Sequence, residues 1–564
     1  MRADVRVTVL VYREQTERRR TASLAQELSR LVEAVEASHR HDDAIEALIV
    51  AGQLETAVLD ATQPDVERPG AARTALDALA RAAGLLAASS WRVLDLEVPL
   101  REVQCALRRL REHSPLLPRE VDVKTPEGYA WYAVHPEAWF EAARRAAAAD
   151  DAVVVIGLRS IGASLSAIVA AAFEPSRTMR VVVRPRGHPF ERRPRLHPEL
   201  IDLLRLHGRE TFLIVDEGPG MSGSSFIGVA EAMASLGVAD SRIVLLPAWI
   251  PAGSQLSSER ARSSWDRWRK VVVSPDSIGL LDHAVPGEDE VREWSAGAWR
   301  NELLPSASWP PVQPQHERRK WRTRRHVTRF IGLGRHGRDI ADRIARMHDA
   351  GLGPKLEAVK HGYASLEFVD GRICAPPDGE LAAALARHLE WISEERVGGR
   401  IDFDALVEMI EVNLREGLGC AATAHLRRHR RVIEDGVPVR IDGRLHPHEW
   451  VRTPERWIKL DGFEHHADHF YPGAQDLAWD LAGVAAEHSL QLRDDVMGRL
   501  QRSRRVPRVP EERLRFYDVA YGGFRVGYAQ LAAEVTTGDE QARWGRERER
   551  CTAFVRGALA RLGA

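Results

Sequence analysis

Asp216 and Glu217 stand side by side at the end of an apolar run, Phe212-Leu213-Ile214-Val215. They are followed at once by Gly218-Pro219-Gly220-Met221-Ser222-Gly223-Ser224-Ser225. Backbone N–H groups at the start of a helix, with hydroxyls beside them, form a phosphate site. Two carboxylates just upstream would repel that phosphate unless they hold something else. A sugar diol suits them, because each carboxylate accepts a hydroxyl hydrogen bond. A second loop, Gly157-Leu158-Arg159-Ser160, closes another apolar run about 60 residues earlier. Between the two lie Arg184, Arg186, Arg192, Arg193 and Arg195, a composition suited to a basic loop over an anionic leaving group.

The elements that must position these residues alternate between strand and helix. Runs at 153–157, 180–185, 211–218 and 242–249 read as strands, with small-residue helices after the first and third. Near-continuous apolar strands alternating with helices predict a parallel sheet covered on both faces. Ligands of such sheets bind outside the carboxyl ends of the strands, which points to the loops after 157 and 215. Upstream, residues 1–115 read as mostly helical after a short opening strand (5–12), with Leu24, Leu28, Leu31 and Val35 at helical spacing. Downstream, the Pro-rich stretch 303–316 reads as a linker, and 317–564 mixes a few strands with long charged helices. The segment 125–139, rich in aromatics, reads as an edge that docks on the sheet, with an aromatic wall for a base as the other reading.

The strand, acid pair and Gly/Ser loop resemble the PRPP-binding motif of type I phosphoribosyltransferases. The resemblance implies that Asp216 and Glu217 hold the ribose hydroxyls of PRPP, and that Gly220, Met221, Ser222, Gly223, Ser224 and Ser225 hold its 5-phosphate. It also implies that Gly157, Leu158, Arg159 and Ser160, with Arg184 and Arg186, face the pyrophosphate, and that Mg²⁺ shares its charge. Serines replace the family's usual threonines, and Gly218–Met221 is one residue longer than typical.

In the last third, Gly332-Leu333-Gly334-Arg335-His336-Gly337 lies between a strand and a helix, a pattern of nucleotide-binding loops. Farther on, the stretch 442–485 resembles the catalytic and metal-binding segments of aminoglycoside-phosphotransferase-like kinases. Leu445-His446-Pro447 and Asp476-Leu477-Ala478 match that pattern. The resemblance implies ATP as a ligand at Gly332, Gly334 and Gly337, and Mg²⁺ at Glu449 and Asp461. Arg444 falls where the family's catalytic Asp belongs, and Glu449 replaces a metal-binding Asn. An arginine cannot accept a proton, which leaves Asp442, two residues upstream, as the candidate base. His446, His448, His465, His466 and His469, with Asp461 and Asp468, suggest a metal cluster or plain polar surface.

Lys+Arg number 80 against Asp+Glu 81 among 564 residues. That balance disfavours a general nucleic-acid binder, although seven Lys/Arg fall within 318–329. Four scattered cysteines support neither a disulfide framework nor a C-x-x-C zinc site and fit a reducing cytoplasm. No run is long and apolar enough to span a membrane. The expected fold class is α/β multidomain: a helical N-terminal region (1–115), a parallel-sheet phosphoribosyltransferase-like α/β domain (116–302), a linker (303–316) and a C-terminal kinase-like α+β domain (317–564). The expected partners are small-molecule substrates, with no membrane or nucleic acid and with homodimerisation left open. The expected activity is PRPP-dependent ribosyl-phosphate transfer to a nucleobase-like or other small acceptor, and a non-catalytic PRPP or nucleotide sensor with a dead kinase-like module is the alternative.

Overall fold

The computed structural model describes residues 9–13, 15–285, 290–420, 423–470, 472–503 and 505–563. Strand β1 (Thr16–Arg20) pairs antiparallel with β2 (Glu120–Lys124). Between them lie four helices, α1 (Thr21–Ser38), α2 (His41–Thr62), α3 (Ala71–Trp91) and α4 (Glu97–Glu112). On α1 the buried stripe is Leu24, Leu28, Val32 and Val35, with Leu31 only half-buried at its edge. The first half of the opening run 5–12 falls outside the described residues. Its described part does not serve the nearby helices: Val9 and Val11 are buried in the core of the C-terminal helices. Asn413 there exchanges two hydrogen bonds with the main chain of Leu10, at 2.7 and 3.0 Å.

The central sheet is formed by β3 (Val153–Leu158), β4 (Thr178–Val183), β5 (Thr211–Val215), β6 (Ile243–Leu246) and β7 (Arg269–Lys270). Every pairing is parallel, in the order β4-β3-β5-β6-β7. Because successive side chains alternate faces, Val153, Val155, Leu213 and Val215 enter one core, while Val154, Ile156, Phe212 and Ile214 enter the other. Helix Gly162–Ala170 covers the first face, and α2 and α3 lie over it in turn. Gly52 and Gly84 allow that closeness, since a Cβ on either would collide with Ser164 or Ala167. The N-terminal helices are therefore an outer layer of the α/β unit, and residue 115 is no packing boundary.

A buried ion-pair cluster ties the layers together. Arg180 on β4 meets Glu55 on α2 and Asp77 on α3, each at 2.6 Å, with the Arg180 side chain fully buried.

The second sheet contains β8 (Arg292–Glu293), β9 (Lys320–Arg322), β10 (His326–Phe330), β11 (Leu356–Lys360) and β12 (Tyr363–Glu367). Its order is β11-β12-β10-β9-β8, and every pairing is antiparallel. The expected linker is corrected here. Since β8 precedes 303–316 and pairs with β9, the Pro-rich stretch is an excursion within the second unit. It is held by Val312, whose carbonyl accepts from Trp544 (3.2 Å), and by Arg300, which pairs with Glu540 (3.0 Å). A three-stranded sheet, β13 (Arg372–Ile373), β14 (Trp450–Arg452) and β15 (Trp457–Lys459), precedes the final helices, of which Glu511–Val535 and Gly538–Leu562 are the longest. No described helix is long and apolar enough to cross a membrane.

The two sheets share a core. Tyr129 and Trp139 from the aromatic segment pack in one cluster with Trp321, Phe330 and Tyr363. That segment therefore docks, as its composition predicts.

Candidate functional site

The connection leaving β3 runs toward β4 and the one leaving β5 runs the opposite way, toward β6, which makes the carboxyl ends of β3 and β5 the switch point where open α/β sheets bind ligands. Both loops singled out in the sequence lie there. Asp216 and Glu217 follow β5, and the loop runs through Gly220 (φ +61°) and Gly223 (φ +67°) into helix Ser224–Ser235. The two positive φ values are ones that glycine adopts without strain. Ser222 Oγ lies 3.0 Å from Ser224 Oγ, and Ser224 Oγ donates to the Pro189 carbonyl at 2.6 Å. Met221 is exposed at the loop tip and Ser225 is half-buried in the first turn of the helix.

The acid pair is poorly compensated. Burial pushes the Asp216 carboxyl up to about 7, against the pull of the Glu217 amide, Arg184 and Arg192. Burial, then the charges of Asp216 and Glu127, push Glu217 up to about 8. Glu217 Oε2 has no hydrogen-bond partner among the described residues, and it packs over Gly128, where a Cβ would not fit. Two carboxyls held this far from their ordinary range at the mouth of a switch point mark a candidate site.

The basic segment forms a small hairpin, with Arg186 and Arg193 exchanging main-chain hydrogen bonds at 2.8 and 2.9 Å. Pro189 and Phe190 seat it against the serine loop and Ser258. Arg184 pairs with Asp60 through Nε at 2.7 Å. Arg159 departs from its expected role. Its side chain is fully buried between Glu67 (2.5 Å) and Asp60 (3.3 Å), so it braces the loop from behind. Gly157, with no room for a Cβ beside Ser166, and Leu158 end the buried strand, leaving the half-buried Ser160 as the outermost residue of the four.

The second group of residues converges on a cleft of about 390 Å³ lined by Arg329, Arg444, His446, His448, Glu449, Asp461 and His465 among others. Glu449, Asp461 and His465 bring ligand atoms within 4.8 Å of one another. Both carboxylates are nevertheless occupied: Lys459 Nζ lies 2.6 Å from Glu449, and Arg329 donates to Asp461 at 2.7 Å. Arg329 also meets Glu464, which Arg318 approaches at 2.9 Å.

Asp442 is corrected as a base. Its side chain is fully buried, 2.9 Å from His388 Nε2 and 3.2 Å from Lys459 Nζ, and its main-chain N–H and that of Gly443 donate to Asp480, both at 2.8 Å. Burial opposes its charge, but Lys459, His388 and His465 outweigh that and hold it well below the usual carboxylate range. A carboxylate so satisfied takes no proton from a substrate. It holds the 442–449 loop in place.

The glycine pattern is corrected as well. Leu333 N–H donates to the Tyr129 carbonyl (2.8 Å), and side chains at Gly332 and Gly334 would crowd Ala130 and Glu46. A Cβ on Gly337 would strike the Gly332 carbonyl. These glycines permit a tight strand-to-helix corner packed against the first unit, and none lines the cleft. The basic run 318–329 is likewise internal in large part. Arg318, Arg319 and Arg329 are ion-paired and Arg322 lies over the Phe368 ring. His446, stacked on His448, lies with His465 at the cleft, while His469 stacks on Trp131 and Tyr12.

Sequence reading missed Lys459, His388 and Asp480. Lys459 carried a signal, a lone cation in the apolar run Trp457-Ile458-Lys459-Leu460, two residues before Asp461.

No protein-family model matches the chain, and no curated protein is similar to it. Among solved structures, a choline/ethanolamine kinase family protein from Mesorhizobium loti is similar at 15% identity and a TM-score of 0.34, covering 50% of this chain and 97% of its own. The choline kinase LicA from Streptococcus pneumoniae is similar at 15% identity and TM-score 0.29, covering 42% and 89%. The macrolide 2′-phosphotransferase MphH from Brachybacterium faecium is similar at 12% identity and TM-score 0.31, covering 49% and 96%.

Proposed function

We propose that the central sheet binds PRPP and transfers its ribosyl phosphate to a nucleobase-like or other small acceptor. The observation that carries this reading is the Asp216–Glu217 pair, two carboxyls with raised pKa at the switch point beside a Gly/Ser loop that opens a helix. Asp216 and Glu217 orient the ribose hydroxyls. The amides and hydroxyls of Ser222–Ser225 cradle the 5-phosphate. Arg192 and Arg184, whose charges reach Asp216, favour the anionic end of the ligand. The bond from the ribosyl carbon to pyrophosphate breaks as the bond to the acceptor forms, and the protein contributes position and charge. The hard oxygen donors of the acid pair suit Mg²⁺, which when bound would share the charge of the pyrophosphate.

The second unit is, on this reading, a kinase-like module that takes ATP in its cleft, with Arg444 at its wall and Asp442 locked beneath. The locked Asp442 also favours the alternative of a PRPP- and nucleotide-sensing protein. Calorimetric titration with PRPP and with ATP, each with and without Mg²⁺, followed by a pyrophosphate-release assay with candidate acceptors, separates the two. Transfer predicts PRPP binding and pyrophosphate release, both lost in Asp216→Asn/Glu217→Gln. Binding without release supports the sensor, and no PRPP binding overturns both.

A further inference from the structure

A second polar cluster lies where three separate parts of the chain meet, away from both sites above. His41 is the first residue of α2, Glu137 lies in the first turn of helix Pro136–Ala146, and His361 is at the tip of the β11–β12 hairpin. That hairpin turns through two residues, His361 and Gly362, with φ of +49° and +76°. Two-residue hairpins with both central residues at positive φ match the twist of the strands they join, so the turn pushes His361 outward. One ligand atom from each of His41, Glu137 and His361 lies within 4.8 Å of the others.

We infer that His41, Glu137 and His361 form a transition-metal site, of the kind zinc occupies. Glu137 is 2% exposed and its Oε2 has no hydrogen-bond partner among the described residues. A buried carboxylate oxygen left unpaired is costly, and a cation between the three groups satisfies it. Asp42 stands beside the cluster, its Oδ1 3.7 Å from His361 Nδ1. Two imidazoles and one carboxylate are a three-ligand set that leaves a fourth position to water, and nitrogen with oxygen ligands suits zinc. His41 Nε2 now sits 2.6 Å from Glu137 Oε1. An ion would open that pair to about 3.3 Å, the edge of a tetrahedron with zinc-length bonds. Trp91 packs beside the site, its ring 5.5 Å from that of His41 and 6.1 Å from that of His361. The Glu449–Asp461–His465 cluster differs, because Lys459 and Arg329 already neutralise its carboxylates. An ion at His41 would clamp the helical layer, the α/β unit and the second sheet at one point.

The test uses the full chain, incubated with a small excess of Zn²⁺ or Co²⁺ and desalted into metal-free buffer. About one zinc per chain is expected to remain, and cobalt should give the intense visible bands of a four-coordinate ion. His361→Asn removes the imidazole while keeping a residue that tolerates positive φ. It and Glu137→Gln should each lower retained metal at least tenfold, whereas His465→Ala should retain it. Zinc should raise the Tm of the native protein but not of His361→Asn. Less than a tenth of an equivalent retained by the native chain overturns the proposal, as does full retention in His361→Asn and Glu137→Gln. If either variant fails to fold, the cobalt spectrum of the native chain still decides, and a weak six-coordinate spectrum overturns the site.

Discussion

Loading the Asp216–Glu217 pair should release protons, in an amount set by the two carboxyls. With pKa values of about 7 and about 8 in the free protein, the pair at pH 7.5 holds about a quarter of a proton on Asp216 and about three quarters on Glu217, or about one in all. A ribose diol donating to both carboxylates, with Mg²⁺ beside them, favours the charged forms and drives that proton off. At pH 9.5 both groups are already ionised and the release should fall to nearly zero. The assay is calorimetry of Mg²⁺–PRPP binding in buffers of different ionisation enthalpy, such as HEPES and Tris. The dependence of the apparent enthalpy on buffer reports the protons exchanged. Potentiometric titration of Mg²⁺–PRPP without protein serves as the control for protons belonging to the ligand. Tight binding with no proton release at pH 7.5, or the same release at pH 9.5, would refute the assignment of these carboxyls to the ligand.

The same pair governs stability. Because the folded pKa values lie above the unfolded ones, the stabilisation from the protonated forms is complete below about pH 4 and is lost as pH rises through 7 and 8. With solvent screening on the open side of the loop, the loss is about 2 kcal/mol per group. Urea unfolding should therefore find Asp216→Asn/Glu217→Gln more stable than the native chain at pH 8.5, and the gap should close at pH 5. Glu55→Ala strips a fully buried partner from Arg180 and should cost about 3–5 kcal/mol in the same assay, while Glu55→Gln, which keeps an acceptor, should cost less. Lys459→Met leaves Asp442 and Glu449 without their shared cation. It should lower Tm by several degrees, and because Asp442 becomes easier to protonate, the loss should be larger at pH 8 than at pH 5.

What the sequence determined by itself was whatever depends on neighbours along the chain. Continuous apolar runs at 153–158 and 211–215 specify strands buried on both faces, and the acids and glycines that follow β5 specify a loop at its carboxyl end. Parallel order then makes that loop a candidate site, because crossovers of one hand put consecutive carboxyl ends together. Tertiary structure decided which way each polar side chain faces. Arg159 and Ser160 are adjacent, yet Arg159 turns inward because Glu67 and Asp60, brought from the helical layer, offer it charge. Asp442 and Arg444 exchange their expected prominence because Lys459 and His388 arrive from β15 and helix Gly379–Glu394 to bury the first and not the second. Gly332, Gly334 and Gly337 spell a nucleotide loop but serve a corner, because Tyr129, Ala130 and Glu46 press against them. The meeting of His41 with Glu137 spans 96 residues of chain, and His361 comes from a different sheet. No local pattern encodes such meetings, since they arise from the packing of layers whose contacts are set only when the whole chain has folded.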